Sequence, residues 1–115
     1  MWIMIAGPYR SGAAGAEQRS VNLRTLNEAA VAVRRAGHVP IIGVNMALPM
    51  IEAAGGSEAV YDEIMLPVSL ALADRCDACL RVGGTSAGAD EEVGRFIAAG
   101  RPVFHALNEI PAIGE

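Results

Sequence analysis

Two short stretches hold most of the side chains whose chemistry goes beyond packing. The first, Gly7-Pro8-Tyr9-Arg10-Ser11-Gly12, offers two glycines over which a ligand can approach the backbone, an aromatic ring, a hydroxyl, and an arginine. The planar fork of an arginine grips a carboxylate or phosphate through two parallel hydrogen bonds. The second, Gly83-Gly84-Thr85-Ser86-Ala87-Gly88-Ala89-Asp90-Glu91-Glu92, is a run of small residues leading into three carboxylates. Small residues opening a helix leave its first amides free, and with nearby hydroxyls these form a cradle for an anion. Gly7, Arg10, Ser11, Ser86 and Gly88 are therefore the candidate anion-binding positions.

Asp90, Glu91 and Glu92 fall in the first turn of the expected helix, where the dipole favours negative charge and where helix stabilisation alone would explain them. The same field is expected to lower their pKa values and keep them ionised. Glu92 precedes Val93, a core-facing position, and is expected to point toward the sheet, whereas Glu91 is expected to face solvent.

The elements that position these loops are read from apolar runs and their punctuation. Trp2 to Ala6 is a buried strand stopped by Gly7-Pro8, and strands buried on both faces imply helices on both sides. From about Ala16 to Ala36, Leu23, Leu26, Ala30 and Val33 recur at helical spacing, with Arg34-Arg35 and Gly37 as a basic last turn and a stop. Val39 to Gly43 reads as a second strand with Pro40 tolerable at its start or at an edge. Met46 to Ile51 is either a flap over a pocket or a surface helix. Ser57 caps a helix through Tyr61, Met65 and Leu72 that Pro67 is expected to kink or divide. Ala78 to Val82 is a third strand, Ala89 to Ala99 a helix with Val93, Phe96 and Ile97 inward, and Pro102 to Leu107 a last strand. Alternation of strands and helices predicts one small α/β domain over residues 1–115. It is Rossmann-like or flavodoxin-like, three-layered, with a mostly parallel sheet of four to five strands. In such sheets ligands bind beyond the carboxyl ends of the strands, where both loops lie.

Composition narrows the function. At 115 residues, 52% hydrophobic and 19% charged, the chain has ample apolar surface to bury, and part of that excess is expected to lie in a homo-oligomer interface. A net charge of -4 argues against nucleic acid or an anionic membrane as partner. All nine basic residues are arginine, which excludes a phosphate loop built on Gly-Lys-Ser/Thr and any Schiff-base lysine. The opening apolar run lacks a basic leader, and no segment has the roughly 20 apolar residues of a membrane span, so a cytoplasmic location is expected.

Cys76-Asp77-Ala78-Cys79 has the spacing of a redox pair but precedes a strand rather than opening a helix, and a zinc site needs a second pair. Buried, inert cysteines are expected, with no metal and no cofactor. His38 reads as a solvated loop residue, His105 as structural, Met46 and Met50 as packing, and Trp2 as packing or interface.

Ile5-Ala6-Gly7-Pro8-Tyr9 at the end of the first strand, combined with Ser86-x-Gly88-x-x-x-Glu92-Val93-Gly94, resembles the nucleoside 2-deoxyribosyltransferase-like superfamily. That group includes nucleoside 5'-monophosphate N-glycosidases and small Ile-Ala-Gly-Pro proteins, and the resemblance extends to Cys76-Asp77-Ala78. It implies that Glu92 is the nucleophile on the anomeric carbon of a (deoxy)ribose. Ser86 and Gly88 would then hold phosphate, and Arg10 would favour a phosphorylated nucleotide over a free nucleoside. It also implies that neighbouring subunits help to form the pocket.

Two departures accompany the match. Met4 stands where the family has a tyrosine orienting the nucleophile, leaving Tyr9 to serve from another direction. Ser69 stands where the family has an aspartate, with Asp74 as the candidate replacement and Asp77 as a turn residue. The expected function is an N-glycosidase or (deoxy)ribosyltransferase with Glu92, Tyr9 and Asp74 as catalytic residues. The alternative is a non-catalytic nucleotide-binding or sensing module on the same fold. A receiver-like interaction domain is disfavoured because such domains need a lysine. Base and acceptor contacts would come from Val44 to Gly56, which carries no recognisable pattern.

Overall fold

The computed structural model describes residues 1–10 and 15–113. Its elements in chain order are β1 (Trp2–Ala6), α1 (Ala16–Arg35), β2 (Val39–Ile41), α2 (Gly43–Ala53), α3 (Glu58–Ala73), β3 (Ala78–Arg81), α4 (Ala87–Ala98) and β4 (Val103–Phe104), followed by a 3-10 turn at Leu107–Glu109. The four strands form one sheet in the order β2-β1-β3-β4, and every pairing is parallel.

Side-chain alternation along the strands divides the core in two. Ile3 and Ile5 of β1 and Ala78 and Leu80 of β3 pack with Leu26 and Val33 of α1 on one face. Met4 and Ala6 with Cys79 pack against Ala73 of α3 and Ala89 and Phe96 of α4 on the other. A third cluster, Ala47 and Ile51 of α2 with Met65 of α3, extends the second layer past the sheet edge. β2 is an edge strand, which is why Pro40, lacking an amide proton, is accommodated within it.

Helix α1 ends as its sequence predicts. Gly37 has a φ of 97° and its amide donates to the Arg34 carbonyl at 3.0 Å, while the His38 amide donates to the Val33 carbonyl at 3.2 Å. This is the Schellman closure, in which the left-handed residue is best a glycine.

Several expectations need correction. Of the two alternatives for Met46 to Ile51 the structure has the helix, α2, and Met46 and Met50 are exposed on it rather than packed. Ser57 caps α3, its hydroxyl accepting from the Val60 amide at 3.2 Å, but Pro67, at an exposed position, does not divide α3, which continues to Ala73. Ile97 is 67% exposed rather than inward, leaving Phe96 as the buried anchor of α4. The last strand shrinks to Val103–Phe104, and the backbone then turns, with the His105 amide donating to Glu109 at 2.8 Å. His38 is buried, not solvated: its Nδ1 lies 2.8 Å from the Met1 nitrogen and its Nε2 2.6 Å from the Pro111 carbonyl.

Phe96 is the largest fully buried side chain and joins α4 to the β1–β3 face, so Phe96→Ala is expected to destabilise the fold by about 3–5 kcal/mol. Denaturant unfolding monitored by circular dichroism measures it. A loss under about 1 kcal/mol would mean that the face collapses around the void.

Candidate active site

β1 and β3 are hydrogen-bonded neighbours whose connections leave in opposite directions, β1 toward β2 and β3 toward β4. Between their carboxyl ends the two loops diverge and leave a crevice, the usual ligand position in an open parallel sheet. A cleft of about 500 Å³ occupies it, within the roughly 300–1,000 Å³ common for small-molecule sites.

The walls meet there through close backbone approach. A Cβ on Gly7 would lie 2.7 Å from the Val82 carbonyl oxygen and 2.9 Å from a Leu26 methyl, so only glycine lets the end of β1 lie against the end of β3. Gly7 thus has a packing reason as well as a place in the cleft wall. On the β3 side, the Arg81 guanidinium donates to the carbonyls of Val82 and Gly84, the latter at 2.7 Å, and lies 3.9 Å from Asp90. An arginine bound to two carbonyls of one turn fixes the loop that leads into α4.

Ser86 is the N-cap of α4 and accepts from the Ala89 amide at 3.1 Å. Ser86, Gly88 and Glu92 all line the cleft, so the first turns of α4 present hydroxyl, amides and carboxylate to one space. Glu91 is exposed and Glu92 buried, 9% accessible.

The charge state of Glu92 departs from the expectation of a carboxylate held ionised by the helix. Burial raises its pKa from 4.5 to about 7, and a hydrogen bond donated by Ser69 and the field of Arg81 only partly oppose that rise. Glu92 is the sixth residue of α4 rather than part of its first turn, where only Asp90 of the three carboxylates lies, so burial and not the helix end sets its charge state.

Ser69 is itself buried and lines the cleft, so the residue that replaces an expected aspartate is a direct partner of Glu92. Its position depends on Gly43, the first residue of α2. A Cβ there would fall 2.0 Å from the Ser69 hydroxyl oxygen and 2.8 Å from its Cβ. Met4 is fully buried in the core beneath α4, so it contributes packing and no hydrogen bond.

Tyr9 and Arg10 stand at the cleft as the sequence places them. The Tyr9 carbonyl accepts from Asn22 at 2.8 Å, which ties this loop to α1. Ser11 lies outside the described residues. Asp74 is not brought to the site. It caps the far end of α3, about 20 Å along the axis from Tyr61 at 1.5 Å per residue, and pairs with Arg95 at 2.7 Å. Since α3 runs back toward the amino ends of the strands, its last residue cannot reach the carboxyl ends.

Tyr61 and Asp62, neither singled out by sequence, line the cleft instead. They share one face of α3 with Met65, Leu66 and Ser69, and the signal in the sequence was the four-residue spacing of Tyr61, Met65 and Ser69. Both cysteines are buried, and loss of hydration pushes Cys76 up to about 11 and Cys79 up to about 12, which makes them poor nucleophiles. Among the described residues no cluster of three or more His, Cys, Asp or Glu is arranged to hold a metal, and no helix is long and apolar enough to cross a membrane.

Two predictions follow from the geometry around Glu92. A carboxyl raised in the fold contributes stability below its unfolded pKa of 4.5 and loses it as pH rises toward about 7. Glu92→Gln, which cannot ionise, should therefore melt progressively higher than the wild type from pH 5 to pH 8, gaining at most about 3 kcal/mol. A melting difference that is flat across that range would place the carboxyl in water. Gly43→Ala should displace the Ser69 hydroxyl and raise the Glu92 pKa further, as should Ser69→Ala. Carbon-13 NMR titration of the glutamate carboxyls measures both, and unchanged titration in Gly43→Ala would break the link between α2 and Glu92.

Comparison with known proteins agrees with this architecture. The 2-deoxyribosyltransferase from the psychrotolerant bacterium Bacillus psychrosaccharolyticus superposes with a TM-score of 0.67 at 18% sequence identity, over 99% of this chain and 93% of that one. At that identity the likeness is one of fold, and it identifies the domain as the expected single Rossmann-like unit. No curated protein matches the sequence. The sequence profile of DUF1937, described as a domain of unknown function, matches residues 2–107, nearly the whole chain, and the protein belongs to that family.

Proposed function

We propose that this protein cleaves or exchanges the N-glycosidic bond of a nucleoside or nucleoside 5'-monophosphate, with Glu92 as the nucleophile. The observation that carries this reading is the buried Glu92 carboxyl lining a cleft of about 500 Å³ at the carboxyl ends of the strands, where burial raises its pKa. The fold shared with a 2-deoxyribosyltransferase supports it.

In this mechanism a Glu92 oxygen attacks the anomeric carbon through an oxocarbenium-like transition state. The carbon–nitrogen bond breaks, its electron pair leaves with the base, and the base takes a proton from water at the mouth of the cleft. A glycosyl ester on Glu92 remains. Water, or the nitrogen of a second base, then attacks the same carbon and releases the carboxylate with net retention. Ser69 holds the Glu92 carboxylate by its hydrogen bond, and Asp62 is the second carboxylate lining the cleft, available to draw the proton from the resolving water. Arg10, Ser86 and Gly88 are assigned to the end of the ligand remote from the base, and Tyr9 to the sugar.

A second reading, a nucleotide-binding module without turnover, is favoured by one observation. Met4 is wholly buried, so the tyrosine hydroxyl expected beside the nucleophile has no counterpart from that strand. The two readings part on product formation. Nucleosides, their 5'-monophosphates and NAD are incubated with wild type and Glu92→Ala, and free base is followed by chromatography. The enzyme reading expects base release that falls by roughly a thousandfold or more in the variant. Because the nucleophile must be ionised, kcat/KM should climb with pH and level off above about 7. Ligand-induced melting shifts with no base released would favour the binding module.

A further inference from the structure

Arg10 already has a carboxylate in its fork. Its Nη2 donates to Glu58 Oε1 at 2.7 Å and its Nη1 to Oε2 at 3.1 Å, the two-bond geometry with which an arginine would hold a ligand's phosphate. The guanidinium carbon also lies 3.9 Å from the centre of the Tyr61 ring. Face and edge are thus held by different partners, and the stacking on Tyr61 keeps the guanidinium in place whichever acceptor occupies its edge.

We propose that Glu58 is the specificity-determining residue of the cleft, an internal stand-in for the anionic end of the ligand that a phosphate must displace from Arg10. The inference rests on the reading of the cleft as a nucleoside or nucleotide site. Three features of the chain make the exchange possible. Among the described residues lining the cleft, which include the carboxylates Asp62 and Glu92, Arg10 is the sole cation, so an anionic ligand has no other positive side chain there. Arg81, whose charge acts on Glu92, is committed to the Val82 and Gly84 carbonyls. Glu58 is 70% exposed and is the first residue of α3, so it can swing into water and still lie in the favourable field of the helix N-terminus. Exposed pairs of this kind are weak, which suits a partner meant to be exchanged.

A phosphate that competes with Glu58 binds less tightly than one meeting a vacant Arg10, while an unphosphorylated nucleoside leaves the pair intact. Removing the Glu58 charge should therefore tighten phosphorylated ligands alone, by about two- to fivefold, the range set by an exposed ion pair. Calorimetric titration of matched nucleosides and nucleoside 5'-monophosphates against Glu92→Gln, and against the same protein carrying Glu58→Gln, Arg10→Ala or both, reads this without turnover. The expected result is tighter monophosphate binding and unchanged nucleoside binding in Glu58→Gln, with Arg10→Ala weakening monophosphates, leaving nucleosides unchanged, and abolishing the gain from Glu58→Gln. Monophosphate affinity that is the same with and without Glu58, while nucleosides still bind, overturns the proposal and leaves the proposed reaction standing. If no member of the panel binds any of the proteins, the reading of the cleft fails, and the role of Glu58 fails with it.

Discussion

Taking a carboxyl group out of water is the costly step in this fold, and the arrangement around Glu92 exists to bear it. The group is buried between α4 and α3, with one hydrogen-bond donor at Ser69 and one nearby cation at Arg81, and these leave its pKa well above the ordinary carboxylate range. Each partner has its own structural condition. Ser69 needs Gly43, because α2 starts against its hydroxyl with no room for a Cβ. Arg81 needs the turn after β3, whose carbonyls hold its guanidinium. The start of α2, the middle of α3 and the end of β3 are therefore joined through one side chain.

The rest of the fold keeps those three elements in register. Alternate residues of β1 and β3 feed two apolar faces, and the face beneath α4 is built from Met4, Ala6, Cys79, Ala89 and Phe96. At the amino ends of the strands, polar contacts hold the opposite end of the same layer. Arg101 donates to the carbonyls of Ala73 and Cys76 and stacks 4.4 Å over the Phe96 ring, and Arg95 pairs with Asp74. With α3 fixed at its C-terminal end, the side chains near its start are held over the cleft.

Much of this was legible in the sequence because it depends on local rules. The apolar run Trp2–Ala6 gives a strand with the same bounds in the structure, and Leu26 and Val33 of α1 are buried at the spacing read from the chain. Strand alternation and the glycine-bearing turns place Arg10, Ser86 and Glu92 at one end of the sheet. What was not legible depends on non-local contact. Asp74 was the candidate replacement for the aspartate that the resemblance implies on this helix, where Ser69 stands, and only the direction and length of α3 show that it lies at the opposite end. The buried state of His38 depends on Pro111, 73 residues away. The raised pKa of Glu92 was hidden for the same reason: the helix dipole can be read from position in the chain, whereas desolvation by α3 cannot.

The contrast between the two ends of α3 shows how like chemistry acquires unlike roles. Asp74 with Arg95 and Glu58 with Arg10 are both arginine–carboxylate pairs at 2.7 Å, each joining α3 to a neighbouring part of the chain. Both are substantially solvent-exposed, so neither contributes much to stability on its own. Their difference is topological. The first lies where parallel strands begin, a region closed by Arg101 and the core. The second lies where the strands end and their connections separate, beside an open cleft with a carboxyl at its wall. An ion pair in the first position holds α3 to α4, whereas in the second the arginine lines the cleft, which is what lets its carboxylate partner, on the proposal above, compete with a ligand for it.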